Sequence, residues 1–313
     1  MQLILTKSEP GIKQRISVRK VGLLLIVSLL FGLFITDLSV YVRKTVYRAF
    51  QQGVRLILNF QTREYAVINS DSFRLKYTAE DQELAPVVLN LAEDYLRQAE
   101  EIFGLEHRTR RIPLVLFRDE ASLNKSFGWS GEKSTAGVYW AGTIRIVSPR
   151  GWAGAPDTVP NLAEAAEAFA EEGPLAHELT HLLVDEICGG NYPRWLTEGL
   201  AQYVEQQITG FTLGEPGPSA KAHPYAFAAL DKRFDEQEDQ YLAYWQSFQA
   251  VRQLLARYGQ ERMTTLLLAL GNGQDFAAAF TETYGLTFRD FAESLSSGAE
   301  EYSHGSLTDS YGE

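Results

Sequence analysis

Residues 173–187 read "GPLAHELTHLLVDEI", and they place three reactive side chains on a helix otherwise built for burial. Leu175, Leu179, Leu182, Leu183 and Ile187 recur at helical spacing. His177 and His181 are four residues apart, so both imidazoles leave the same side of the helix one turn from each other. That spacing suits two nitrogen ligands on one metal ion. Glu178 projects beside them, within reach of a metal-bound water. The competing reading is a pair of hydrogen-bonded core histidines. The chain holds only five histidines in 313 residues, and chance would produce this pentapeptide in a chain of that size on the order of once in a hundred. Gly173 and Pro174 begin the helix well and Gly189 and Gly190 end it, so the motif sits on a bounded element.

A hydrolytic zinc site takes a third protein ligand and keeps one position open. His107, His223 and His304 lie in uninformative contexts. The stretch "NYPRWLTEGLAQYVE" (191–205) offers Glu198, flanked by Trp195, Leu196 and Leu200, where a carboxylate is costly unless a cation faces it. Gly199 permits close helix approach. A Gly-Gly-Asn turn between two antiparallel helices would return Glu198 over the histidines. Gln202, Glu205 and Asp185 are candidates to hydrogen-bond a histidine from behind.

The segments "GPLAHELTH", "WLTEGLA" and "AYWQSFQAVRQLLARYG" (243–259) together resemble the gluzincin metallopeptidases, most closely the peptidase MA-like branch related to thermolysin and to the aminopeptidases with "HExxH…NEG". The resemblance spans roughly residues 70–295. It implies a zincin-like fold, one Zn²⁺ per chain on His177, His181 and Glu198, Glu178 as general base, and a peptide or protein substrate. It also implies that an edge strand, matched by Gly137–Trp140, pairs with an extended substrate, where main-chain hydrogen bonds give affinity; a plain core hairpin is the other reading. Tyr244 is the candidate donor to the tetrahedral oxyanion, with Tyr241 as competitor. Two features depart from the family pattern: sixteen residues separate His181 from Glu198, and Thr197 stands where asparagine is common.

The elements that must position these residues are legible as patterns. "FRLKYT" (73–78) and "RIPLVLF" (111–117) read as strands, and "AGVYWAGTIRIVS" (136–148) as a hairpin turning at Ala141 and Gly142. Helices are expected at 82–103, 161–172, 174–187, 193–207, 225–232, 240–258, 260–270, 274–284 and 287–295. The fold class is therefore α+β: an N-terminal transmembrane helix, a small mixed sheet with helices, then a mainly helical subdomain. The expected divisions are 1–20 (cytoplasmic, basic), 21–42 (anchor), 43–64 (juxtamembrane helix), 65–160 (mixed α/β), 161–295 (helical, with the zinc site) and 296–313 (acidic tail).

Composition narrows the remaining classes. A hydrophobic fraction of 45% with 22% charged residues is that of a globular chain. The first 48 residues hold eight basic and two acidic side chains, a net of +6, so the remainder carries −17 against the total of −11. An acidic body of that size repels phosphate backbones, which argues against nucleic acid. Cys188 is the single cysteine, so neither an intrachain disulfide nor a cysteine metal cage is available. "VGLLLIVSLLFGLFIT" (21–36), extended to Val42, is long enough to span a bilayer of about 30 Å. No small-residue cleavage pattern follows Thr36, which favours a retained single-pass anchor over a signal peptide. Five basic residues precede the run, so the expectation is a cell-membrane protein with its body extracytoplasmic. The functional expectation is a membrane-anchored zinc peptidase. The alternatives are a non-catalytic, zinc-stabilised extracytoplasmic domain that binds a peptide or surface partner, and a tethered structural protein with an accidental motif.

Overall fold

The computed structural model describes residues 40–104, 111–129, 135–152 and 161–297. The chain divides into two compact units, Met1–Val46 and Tyr47–Glu313. Helix α1 is described over Val40–Gln61. The expected span at 21–42 lies outside the described residues except for its last three positions, as do His107, His304 and residues 298–313 of the tail. Among the described residues, no helix is long and apolar enough to cross a membrane.

The second unit is α+β. Strands β1 (Ala66–Asn69), β2 (Phe73–Tyr77), β3 (Ile112–Phe117), β4 (Gly137–Trp140) and β5 (Thr143–Val147) form one sheet in the order β1-β2-β3-β5-β4. β2, β3 and β5 run parallel, with Leu75 opposite Leu114 and Leu114 opposite Ile144, and an antiparallel strand closes each edge. Strands β3 and β5 are almost wholly buried, as the unbroken apolar run of β3 requires. Helix α2 (Ala85–Phe103) makes the crossover from β2 to β3 and stops at Gly104, in the left-handed region at φ 64°. Helix α3 (Glu120–Phe127) follows β3, with the Asp119 carboxylate accepting from Ser122 N at 2.7 Å. The β4–β5 turn has positive φ at Ala141 (47°) and Gly142 (77°), which joins the strands tightly where the sequence places the turn. The short strand β1 and helix α3 have too few periodic residues to be read in advance.

The remaining helices are α4 (Leu162–Glu172), α5 (Leu175–Cys188), α6 (Arg194–Thr209), α7 (Pro218–Lys221), α8 (Phe227–Lys232), α9 (Gln240–Gly271), α10 (Phe276–Tyr284) and α11 (Phe288–Ser297). Gly259, at φ 79° and ψ 170°, breaks α9 into the two helices expected on either side of it. Asn161 and Glu164 form a reciprocal capping box that starts α4. Sheet and helices share one core, from Phe73, Leu114 and Ile144 through Leu96 and Leu183 to Val251, Leu266 and Phe280. Two close approaches position the elements that matter for chemistry. A Cβ on Gly199 would lie 2.3 Å from Ser247 O, so only glycine lets α6 seat this deeply on α9. A Cβ on Gly137 would lie 2.7 Å from Pro174 Cγ, so glycine also lets β4 approach the start of α5.

Candidate metal centre

Helix α5 buries Leu175, Leu179, Leu182 and Leu183 completely, and this fixes the rotation that presents His177, Glu178 and His181 to α6. Helix α6 is held by Trp195, which is buried and stacked on Phe288 at 5.2 Å. Thr197 meets His181, while Gln202 and Glu205 meet His177. Residue numbers rise along one helix as they fall along the other, so the two helices are antiparallel.

The result brings together the three expected ligand residues. Nε2 of His177 and Nε2 of His181 each lie 3.4 Å from Oε2 of Glu198. Among the described residues, this is the one group of three or more such side chains able to hold a metal ion, with all ligand atoms within 4.8 Å of one another. Ligands about 2.0–2.1 Å from a tetrahedral zinc ion stand about 3.3–3.4 Å apart, which the two histidine–glutamate separations match. Glu198 is 1% exposed, and its Oε2 faces both imidazoles. A buried carboxylate facing two imidazole nitrogens is a donor set for a borderline cation, and the residues therefore fit zinc.

The outer nitrogens are occupied. Nδ1 of His177 lies 3.3 Å from Glu205 Oε2 and 3.2 Å from Gln202 Nε2, and Nδ1 of His181 lies 2.7 Å from Thr197 Oγ1. With Nδ1–H donating to the carboxylate and to the hydroxyl, both Nε2 lone pairs are left for a metal. Gln202 and Glu205 were legible as α6-face neighbours of Glu198. Thr197 was read only as a departure from the family pattern.

The electrostatics are those of a site that wants positive charge. Burial alone would push the His177 pKa down, but the Glu198 and Glu205 carboxylates outweigh it and hold it well above the ordinary imidazole value. Burial pushes Glu198 up, yet the charges of His181 and Arg194 and the histidine hydrogen bonds leave it well below the usual carboxylate range. Burial dominates at Glu178, and its carboxyl is pushed up despite the opposing histidines. Arg194 Nε lies 2.8 Å from Glu198 Oε1, an i,i+4 pair with no signal in the sequence beyond that spacing.

Glu178 Oε2 accepts a 2.5 Å hydrogen bond from Tyr139 N, on edge strand β4. Gly137 O is met by Thr135 Oγ1 at 2.7 Å. The expected substrate strand thus lies against α5 beside the candidate base. Tyr244 stands with its ring 6.4 Å from His177 and packs edge-on to Phe234 at 5.0 Å. The Glu198 charge, then burial, pushes its phenol up, so it stays a donor. Tyr241 is exposed, with its hydroxyl near Gly214, and His223 is exposed with Nδ1 3.1 Å from Ser219 O. Asp185 departs from expectation. It faces away from the histidines, fully buried, and accepts from Tyr47 OH (2.7 Å), Tyr192 OH (3.2 Å), Gln51 Nε2 (3.1 Å) and Tyr139 OH. One turn past His181, this carboxylate is taken by donors on α1 and β4 and by Tyr192.

A search of curated proteins found no match to this chain. Residues 159–296 match the family model described as Peptidase MA superfamily. That range covers α4 to α11 and contains every residue of the candidate metal centre, although β4 precedes it. The match over residues 159–296 agrees with the gluzincin-type resemblance of the motifs and points to a peptidase.

Proposed function

We propose that this chain is a zinc-dependent metallopeptidase anchored to the cell membrane by residues 21–42, with its body on the extracytoplasmic side. The observation that carries the catalytic reading is the convergence of two imidazole Nε2 atoms on one oxygen of Glu198, with Glu178 on the same helix as the histidines. His177, His181 and Glu198 would hold the ion, and a bound zinc ion supplies Lewis acidity that brings a water pKa towards neutrality. Glu178 accepts a proton from the attacking water as its oxygen bonds to the scissile carbonyl carbon. It then gives the proton to the amine nitrogen as the carbon–nitrogen bond breaks. Tyr244 donates to the developing oxyanion, and Arg194 keeps Glu198 ionised.

The membrane reading is supported by the apolar run 21–36, the five basic residues before it and the absence of a cleavage pattern. Incubating the purified, zinc-loaded chain with a broad peptide mixture and reading the products by mass spectrometry tests the activity. No cleavage at stoichiometric zinc would overturn it. Protease shaving of intact cells tests the topology, and protection of the body would overturn that.

A further inference from the structure

Helix α1 is two-sided in an unusual way. One face docks on the body: Leu58 is buried, Tyr47 and Gln51 donate to Asp185, and Arg55 donates to Gly142 O in the β4–β5 turn. The flank beside it is apolar and open to solvent. Phe50 is 48% exposed, Leu56 70%, Ile57 60% and Phe60 68%, and these positions fall within one broad stripe of the helix. Trp140, at the end of β4 and 49% exposed, continues the stripe by meeting Phe50 edge-on at 6.3 Å. Side chains of this size expose several hundred Å² of contiguous apolar surface, which marks an interaction site.

We propose that this stripe lies in the interface of an anionic lipid bilayer, with α1 along the membrane surface. Three observations choose that occupant. The expected anchor, at 21–42, ends eight residues before Phe50, so the chain tethers the stripe close to the bilayer. The helix carries Arg43, Lys44, Arg48 and Arg55 and no acidic residue, in a chain whose remainder is acidic. Arg63 follows, its guanidinium 4.9 Å from the Phe60 ring centre and 3.5 Å from the exposed Glu64 carboxylate, an arrangement in which the ring can enter the acyl boundary while the guanidinium stays at the level of the phosphates. A second copy fits less well, because a two-fold contact through the stripe would set a helix with basic and no acidic side chains against another of the same charge. The consequence concerns the site: α1 is bonded to Asp185 and to the β4–β5 turn, so a surface-lying α1 holds the proposed substrate strand next to the bilayer. Membrane-proximal segments of other proteins then become the accessible peptide class. This rests on the anchored-peptidase reading only for how the chain reaches the membrane.

The test uses the full chain in vesicles of phosphatidylcholine and phosphatidylglycerol. Ile57→Cys, Phe60→Cys and, on the polar flank, Asn59→Cys are labelled with a nitroxide; Cys188 is buried and stays unlabelled. Collision with oxygen is compared with collision with a water-soluble nickel chelate. Labels at 57 and 60 are expected to favour oxygen several-fold over the label at 59. Equal nickel access at all three positions overturns the proposal. Spin–spin broadening at 57 or 60 that persists on dilution with lipid also overturns it, by showing a contact between copies. An alkaline carbonate wash reads the anchor separately. A chain washed off fails the anchor reading, while the labels, measured before the wash, still decide the stripe.

Discussion

The hydroxyl of Thr197 lies 2.7 Å from Nδ1 of His181, and the next residue, Glu198, faces Nε2 of the same ring. Two consecutive residues of α6 therefore hold the two nitrogens of one imidazole, one as an orienting partner and the other as a neighbour in the candidate metal centre. Removing such an outer partner typically costs about 10–100-fold in metal affinity. Thr197→Val should weaken zinc by that order in competition with a chelator, and Thr197→Ser should restore it. Unchanged affinity in the valine variant would show that the hydroxyl does not orient the ring.

Glu178→Gln separates an enzyme from a zinc-stabilised binding module. The amide is near-isosteric and leaves His177, His181 and Glu198 in place. A general base typically contributes about 10²–10⁴-fold, so peptide cleavage should fall by at least that much while zinc content holds. Cleavage that persists undiminished would place the chemistry elsewhere.

His181→Ala should lose most of the zinc, and Glu198→Ala should weaken its binding. In the wild type, chelation should lower the melting temperature, because a ligand at about 100 times its Kd stabilises by about 2.7 kcal/mol. Calorimetry with and without chelator reads this. The His181→Ala protein should show no chelator-dependent shift, which distinguishes loss of the ion from damage by the chelator.

Gly199→Ala tests the seating of α6. Its Cβ would sit 2.3 Å from Ser247 O and 2.7 Å from Val251 Cγ2, and the Ser247 carbonyl cannot retreat without moving α9. Overpacking of this kind costs about 1–3 kcal/mol. Denaturant unfolding should show that loss, and zinc should bind more weakly because Glu198 is displaced with its helix. A variant as stable as wild type would mean that α9 yields more easily than its packing indicates.

The sequence by itself determined what depends on neighbours a few residues apart. The four-residue spacing put His177 and His181 on one face, Gly189 ended their helix, Ala141–Gly142 turned the hairpin, and Gly259 divided α9, because helical and strand periods and positive-φ positions are local properties. Glu198 was also legible, as a carboxylate among apolar neighbours close after a short turn. What only the tertiary structure decided is the set of partners that approach from elsewhere. Whether Asp185 faced a histidine or the tyrosine hydroxyls of α1 and β4 depended on how helices 138 residues apart in sequence pack. The amide of Tyr139 reached Glu178 because Gly137 lets β4 press against Pro174. The depth at which Glu198 meets both rings was set by contact of Gly199 with Ser247. Such choices arise from packing complementarity between distant surfaces, and no periodicity in the chain encodes them.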